Sequence, residues 1–229
     1  LDGFAASLDQ SRTNVVVLYG PAGVGKSRLA DAILAAAEEQ GGLTARVTGS
    51  TAAARMPLGA LAPVLHHDID ATSSARDLFD RTRSELQSLG GEGRLVLLVD
   101  DAHLLDTSSA VLLTQLIDAG AVFVVATIRD GEAVPDAVAG WWRSERATRI
   151  DLKDLDQAAT AEVLRLALGG EVGADTVRRL HVASGGNPLL LRELVLQPLA
   201  ADRLRDDSGT WRIVGAIPPS QRLSELFAV

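Results

Sequence analysis

Short runs of apolar residues, many of them β-branched, alternate along the first two thirds of the chain with segments of helical periodicity. Apolar runs without a polar interruption are typical of strands that are buried on both faces. We predict such strands at 14–19, 95–99 and 121–128, and weaker ones at 43–48 and 149–152. Apolar residues at helical spacing predict helices at 26–40, 73–89 and 111–117. Because strands that alternate with helices imply right-handed crossovers, we predict an α/β fold with a parallel sheet sandwiched by helices.

The pattern changes after Asp154, where helices follow one another without intervening strands. We predict these helices at 157–168, 174–183 and 188–199. A hairpin around Ser208 and Gly209 should follow, and then a last helix that begins near Ser220. This pattern divides the chain into an α/β domain at 1–153, a small helical subdomain at 154–200 and a hairpin-containing region at 201–229. Since the chain starts at Leu1 and stops at Val229 within an apolar pattern, we expect it to be part of a longer protein.

A glycine-rich loop joins the first predicted strand to the first predicted helix. Its sequence, Gly-Pro-Ala-Gly-Val-Gly-Lys-Ser at 20–27, fits the phosphate-loop pattern G-x-x-x-x-G-K-[ST]. Glycines allow successive backbone N–H groups to point inward, and the N-terminus of the helix adds positive charge. Lys26 would then contact the β- and γ-phosphates, and the Ser27 hydroxyl would ligate Mg²⁺. The alternative is a glycine-rich turn with an exposed lysine. We assign nucleotide binding to Gly20, Pro21, Ala22, Gly23, Val24, Gly25, Lys26, Ser27 and Arg28.

Two adjacent carboxylates follow the apolar run at 95–99. A phosphate loop requires a carboxylate at the end of a neighbouring strand to hold Mg²⁺, and Asp100 has this position. Asp101 is placed to polarise the attacking water, but aspartate is one methylene shorter than glutamate, so we expect slow hydrolysis. The alternative is that both carboxylates only end the strand and cap a turn. We expect nearby His103 to be a hydrogen-bonding neighbour rather than a catalyst.

Arg129 directly follows a predicted strand and is expected at the same edge of the sheet as Asp100. Its guanidinium could contact the γ-phosphate there or stabilise the charge of the transition state. Thr127 could also face the phosphates. The competing interpretation is a surface ion pair of Arg129 with Asp130 or Glu132.

A Gly-Gly-Asn-Pro motif at 185–188 opens the helix predicted at 188–199. Asn187 as the N-cap and Pro188 at the first helical position are favourable cap chemistry. Local physics therefore explains the motif without any function, and only a comparison with other proteins gives it a functional meaning.

The overall composition excludes several classes of protein. The 229 residues are 47% hydrophobic and 23% charged, as in ordinary globular domains. No apolar run reaches the ~18 residues of a membrane span, so we expect no membrane contact. The absence of cysteine excludes disulfides and fits a cytoplasmic location. A net charge of −8 would repel DNA, so we expect no direct DNA binding. Lys26 and Lys153 are the only lysines in the sequence, which gives the position of Lys26 more weight.

Four motifs occur in one order along the chain: GPAGVGKS at 20–27, LVLLVDDAH at 95–103, VVATIR at 124–129 and SGGNPLLLREL at 184–194. Together they resemble the STAND class of P-loop ATPases, which are nucleotide-switch relatives of AAA+ proteins. Within that class the sequence resembles the ATPase region of large LuxR-family bacterial transcriptional regulators. The resemblance extends from about Val15 to about Leu199.

The resemblance implies a role for each residue that matches a family motif. Lys26 and Ser27 would bind phosphate and Mg²⁺, and Asp100 would be the Walker B aspartate. Asp101 would be the water-activating residue. Arg129 would be the sensor arginine.

The resemblance also implies the surroundings of this domain. Pro188 matches the lid proline, which in the family packs near the nucleotide base. The family implies that the helical subdomain at 154–200 is a lid and that 201–229 is the start of a winged-helix-like region. The rest of the winged-helix domain, a sensor array and a C-terminal helix-turn-helix would be partners within the same longer chain. This sequence departs from the family in two respects. It lacks a hydrophobic-Gly-Arg-Glu segment within 1–14, and it ends before most of a winged-helix domain.

These observations predict a regulatory switch that binds ATP or ADP with Mg²⁺, hydrolyses ATP slowly and forms homo-oligomers in the ATP state. Three alternatives stay open at this point. The first is a processive AAA+ motor, the second is a small-molecule kinase, and the third is a module that binds nucleotide without cleaving it.

Overall fold

A computed structural model describes residues 13–64, 75–89 and 94–216. These residues form two compact units. The first unit contains the described residues up to Gly20 and those from Lys26 to Leu152. The second unit contains Pro21–Gly25 and the described residues from Lys153 onward.

The first unit is built on a parallel sheet. Its strands are β1 (Val15–Gly20), β2 (Thr44–Thr48), β3 (Leu95–Asp100), β4 (Val122–Arg129) and β5 (Ala147–Asp151). Its α-helices are α1 (Lys26–Glu39), α2 (Ala75–Leu89), α3 (Thr107–Asp118) and α4 (Asp136–Trp141), and 3-10 turns lie at Ala53–Arg55, Ala62–Val64 and Ala102–Leu104. Neighbouring strands are hydrogen-bonded in the order β2-β3-β4-β1-β5, and each described pair is parallel.

Two apolar cores cover the two faces of this sheet, because successive side chains of a strand point to opposite faces. Val15 and Val17 of β1 belong to one core, together with apolar side chains of α2, α3 and α4. Val16 and Leu18 belong to the other core, together with side chains of α1. The predicted α/β fold with helices on both faces of a parallel sheet is therefore confirmed.

The second unit is mainly helical. It contains α5 (Gln157–Leu168), β6 (Glu171–Val172), α6 (Ala174–Ser184), α7 (Pro188–Ala200), β7 (Leu204–Asp207) and β8 (Thr210–Ile213). Side chains of all three helices form its core with Leu204 and Ile213 of the β7–β8 hairpin. Ser208 and Gly209 turn this hairpin, and both have positive φ, as a tight turn requires. The three helices and the hairpin agree with the sequence prediction.

The structure also differs from the predicted elements. It adds α4, β6 and the 3-10 turns, and α3 begins at Thr107 rather than at Val111 because Asp106 caps it. The helix predicted from residue 73 is described from Ala75, and the helix predicted near Ser220 lies outside the described residues. Within the described ranges, no helix has the length and apolar character needed to cross a membrane.

Candidate nucleotide-binding site

The glycine-rich loop has a backbone that only glycine adopts readily at two of its positions. Gly23 has φ +76° and Gly25 has φ +105°, both in the left-handed region. A Cβ atom on Gly23 would lie 2.6 Å from Oδ1 of Asn187, so this position also lacks room for a side chain. Among the other loop residues, Val24 is buried, Pro21 is partly buried, and Ala22 and Arg28 are exposed.

Lys26 is the first residue of α1 and is only 8% exposed. Its Nζ donates a hydrogen bond of 2.9 Å to the carbonyl oxygen of Gly20, which also accepts from the backbone N–H of Asp130 at 3.0 Å. Burial lowers the pKa of Lys26, and the negative charge of Asp101 acts in the opposite direction. An anion placed beside this buried ammonium would favour its charged form.

Ser27 and Asp100 lie close together at the edge of the sheet. Ser27 Oγ donates a hydrogen bond of 3.2 Å to Asp100 Oδ1. The buried Thr127 hydroxyl donates a second hydrogen bond to the same oxygen, at 2.5 Å. The expectation that Asp100 ends a strand next to β1 is wrong, because β4 lies between β1 and β3. Thr127 of that intervening strand contacts Asp100 directly.

The Ser27 hydroxyl and the Asp100 carboxylate suit Mg²⁺ chemically. Mg²⁺ prefers hard oxygen ligands and commonly takes one or two from the protein, while phosphates and water supply the others. Among the residues that the structure describes, no group of three or more His, Cys, Asp or Glu side chains is placed to hold a metal. The oxygens of Ser27 and Asp100 therefore fit a magnesium ion that arrives together with a phosphate ligand.

Asp101 has a left-handed backbone, with φ 52° and ψ 49°. Non-glycine residues seldom adopt this conformation, although aspartate tolerates it better than most. Here it is held by hydrogen bonds on both sides, because the N–H of Asp101 donates to Thr127 Oγ1 at 2.9 Å and its carbonyl accepts from the N–H of Leu104 at 2.8 Å. A Cβ atom on Gly49 would lie 2.3 Å from the same carbonyl oxygen. The backbone of Asp101 is thus fixed by its surroundings.

Arg129 ends β4 and is paired in register with Gly20 of β1. Its Nη1 lies 3.7 Å from Glu132 Oε1, and both side chains are about half exposed. The competing ion pair therefore exists, but exposed pairs of this kind contribute little energy. It does not exclude a contact between the guanidinium and a phosphate.

His103 lies in the 3-10 turn after β3 and is 8% exposed. Its Nδ1 is buried and has no hydrogen-bond partner among the described residues, so the expected hydrogen bond is missing at this atom. Burial also lowers the pKa of His103. Burial thus favours the neutral form of this imidazole over the charged one.

In the second unit, Asn187 and Pro188 begin α7. Asn187 Oδ1 caps the helix by accepting from two backbone N–H groups, at 3.2 and 3.3 Å, and Pro188 occupies the first turn. The predicted N-cap is confirmed. The other side of the same amide donates to the Ala22 carbonyl at 2.9 Å and to Asp154 Oδ1 at 3.2 Å. Sequence reasoning missed these contacts, because Ala22 and Asp154 lie 165 and 33 positions from Asn187 and leave no local signal.

Comparison with models of known protein families yields a match. A model of the AAA ATPase domain matches residues 1–125. A search of curated proteins finds no significant match.

Three of the similar solved structures come from bacteria and archaea. A RuvB mutant of Thermotoga maritima shares 18% identity at TM-score 0.57, with 90% of this chain and 62% of that chain covered. Aeropyrum pernix ORC1, solved in complex with DNA, shares 16% identity at TM-score 0.59, with 92% of this chain and 60% of that chain covered. Pyrobaculum aerophilum Cdc6p shares 12% identity at TM-score 0.60, with 87% of this chain and 61% of that chain covered.

The present chain thus spans about three fifths of the length of these structures. At such identities the likeness shows a common fold, which is the α/β fold of the P-loop NTPases. Since the family model matches more than half of the 229 residues, the chain belongs to the AAA ATPase domain family, whose fold is that of a nucleotide-binding domain.

Proposed function

We propose that this domain binds ATP or ADP together with Mg²⁺ and works as a slowly hydrolysing switch in a LuxR-type transcriptional regulator. One observation carries the nucleotide site. The buried Lys26 ammonium stands at the start of α1 and contacts the Gly20 carbonyl, while the adjacent Ser27 lies 3.2 Å from Asp100. The fold thus brings together a cation, a helix N-terminus and a hydroxyl–carboxylate pair within the first unit, as a triphosphate with Mg²⁺ requires.

In this proposal each residue has a separate task. Lys26 neutralises the β- and γ-phosphates, and Ser27 and Asp100 hold Mg²⁺, which stabilises the negative charge of the phosphates. Asp101 accepts a proton from the attacking water, and its short side chain makes hydrolysis slow. Arg129 stabilises charge on the γ-phosphate.

The switch role rests on the four-motif resemblance to STAND proteins. In that role ATP and ADP favour different arrangements of the winged-helix, sensor and helix-turn-helix domains of the longer protein, and the ATP state forms homo-oligomers. Pro188 would pack near the base. The ORC1 structure contains DNA, but the net charge of −8 on this chain disfavours DNA contacts, so we assign none to this domain.

Nucleotide binding is tested by calorimetry and thermal unfolding with Mg²⁺ATP, Mg²⁺ADP and Mg²⁺GTP. The sequence supplies a matched control, because Lys26→Ala and Lys153→Ala remove its two lysines one at a time. A ligand at a hundredfold excess over its Kd should stabilise the wild type and Lys153→Ala by about 2.7 kcal/mol. Lys26→Ala should show almost no stabilisation. Equal stabilisation of both variants, or none of the wild type, would contradict the site.

Hydrolysis is tested separately by single-turnover and steady-state phosphate release. We expect slow turnover in the wild type, and in Asp101→Asn unchanged binding with a further loss of turnover. Rapid steady-state turnover without any effector would instead favour a motor. Binding without any cleavage would indicate a nucleotide-binding module.

A further inference from the structure

The side-chain amide of Asn187 uses both of its ends within the second unit. A primary amide has two N–H donors and one acceptor oxygen. The oxygen caps α7, one donor bonds the Ala22 carbonyl at 2.9 Å, and the other bonds Asp154 Oδ1 at 3.2 Å. Capping needs only the oxygen, and serine or aspartate would serve equally well there. The two donor contacts are therefore additional to the role of an N-cap.

These contacts fix the orientation of peptide groups in the glycine-rich loop. In a planar trans peptide the C=O and the N–H point in opposite directions, so a bound carbonyl also sets the direction of the following N–H. Asn187 holds the Ala22 carbonyl and thereby directs the N–H of Gly23. The N–H of Leu189 donates to the Gly23 carbonyl at 3.2 Å and in the same way directs the N–H of Val24.

A loop with two left-handed glycines is otherwise free to rotate these peptide groups, because glycine has little steric preference between the two signs of φ. Gly23 is one of these glycines, and a Cβ atom placed on it would lie 2.6 Å from Oδ1 of Asn187. The loop backbone and the start of α7 therefore pack in direct contact.

We propose that Asn187 is a positioning residue for nucleotide binding, which acts by holding the peptide group between Ala22 and Gly23 with the Gly23 N–H directed away from α7 and ready for phosphate. This inference rests on the proposed function, because it concerns affinity for the same ligand. In phosphate loops the backbone N–H groups contact the α- and β-phosphates, which ATP and ADP share. The loss of the bond between Asn187 and Ala22 should therefore weaken the binding of ATP and of ADP by the same factor.

The test compares two variants that separate capping from positioning. Asn187→Ser keeps an N-cap oxygen but removes the donor to Ala22. Asp156→Ala removes the N-cap of α5, whose carboxylate accepts from the N–H of Ala159 at 2.7 Å, and serves as the control for a weakened helix start in the same unit. Calorimetry gives the Kd of Mg²⁺ATP and Mg²⁺ADP, and thermal unfolding without nucleotide gives Tm.

We expect Asn187→Ser to raise both Kd values about fivefold to tenfold, as for the loss of one hydrogen bond, while Tm falls no further than in Asp156→Ala because the lost donor contacts are exposed. Asp156→Ala should lower Tm and leave both Kd values unchanged. Unchanged affinity in Asn187→Ser would overturn this inference and leave the proposed function standing. An equal loss of affinity in Asp156→Ala would do the same. If the wild type binds no nucleotide, the proposed function fails first and this inference fails with it.

Discussion

The hydroxyl of Thr127 joins the two acidic residues at the end of β3, and its removal is the sharpest test of how that edge of the sheet is held. The side chain is fully buried. Its Oγ1 donates to Asp100 Oδ1 at 2.5 Å and accepts from the N–H of Asp101 at 2.9 Å. Thr127→Val replaces the hydroxyl with a methyl group of similar size, so the shape of the core is kept and only the two hydrogen bonds are lost.

The expected loss of stability follows from these two bonds. A hydrogen bond to a charged group contributes about 1.5–3 kcal/mol and one between neutral groups about 1 kcal/mol, while a buried methyl group recovers part of the sum. We therefore expect Thr127→Val to lower the free energy of unfolding by about 2–3 kcal/mol. For a chain of this size that corresponds to a fall in Tm of roughly 5–10 °C.

Thr82 provides the matched control. It is also fully buried in the first unit, but its Oγ1 has no hydrogen-bond partner among the described residues. An unpaired buried hydroxyl is unfavourable, so Thr82→Val should leave the protein as stable or raise its stability by about 1 kcal/mol. Urea unfolding followed by tryptophan fluorescence measures both variants. If Thr127→Val is no less stable than Thr82→Val, the hydrogen-bond network is not what holds this edge.

Two further predictions concern buried polar groups of the first unit. Asp106 is 5% exposed, and its carboxylate accepts from the N–H groups of Leu58 (2.9 Å), Ala60 (3.3 Å) and Ser109 (2.9 Å). Asp106→Ala should therefore cost about 3–5 kcal/mol in urea unfolding, with Asp106→Asn intermediate, and a loss below about 1 kcal/mol would contradict this role. Burial lowers the pKa of His103 in the folded state from its ordinary 6.5. As the pH falls through that value, the unfolded state therefore binds a proton more readily than the folded state does, and the folded state loses stability. Between about pH 7.5 and about pH 5 the wild type should lose more stability than His103→Gln, and parallel pH profiles would exclude this contribution.

The strands and most of the helices could be predicted because their signals are local. Runs such as 95–99 are apolar without interruption and rich in valine, which is typical of a strand covered on both faces. The six residues of α4 are too few to show a helical period, so α4 could not be predicted. The early start of α3 depends on Asp106, whose other partners lie 46 and 48 positions away along the chain.

Part of the candidate site could likewise be predicted from local sequence, and part of it could not. The pattern at 20–27 shows itself in the sequence, since the chemistry of the loop depends on adjacent residues. The bond between Thr127 and Asp100 follows from the order of the strands, and no spacing along the chain shows that β4 lies between β1 and β3. The left-handed backbone of Asp101 depends on Thr127 and on the close approach of Gly49, which comes from another strand connection.

The bond between Asn187 and Ala22 and the affinity for nucleotide are linked thermodynamically in both directions. If the bond raises nucleotide affinity by some factor, nucleotide must strengthen the bond by the same factor, because the two equilibria share one thermodynamic cycle. A fivefold effect on Kd would correspond to about 1 kcal/mol of coupling. That energy would shift the equilibrium of this contact about fivefold towards the bonded form when nucleotide binds. A proposed switch needs such an element, since a ligand can shift a conformational equilibrium only by the difference in its affinity for the two states.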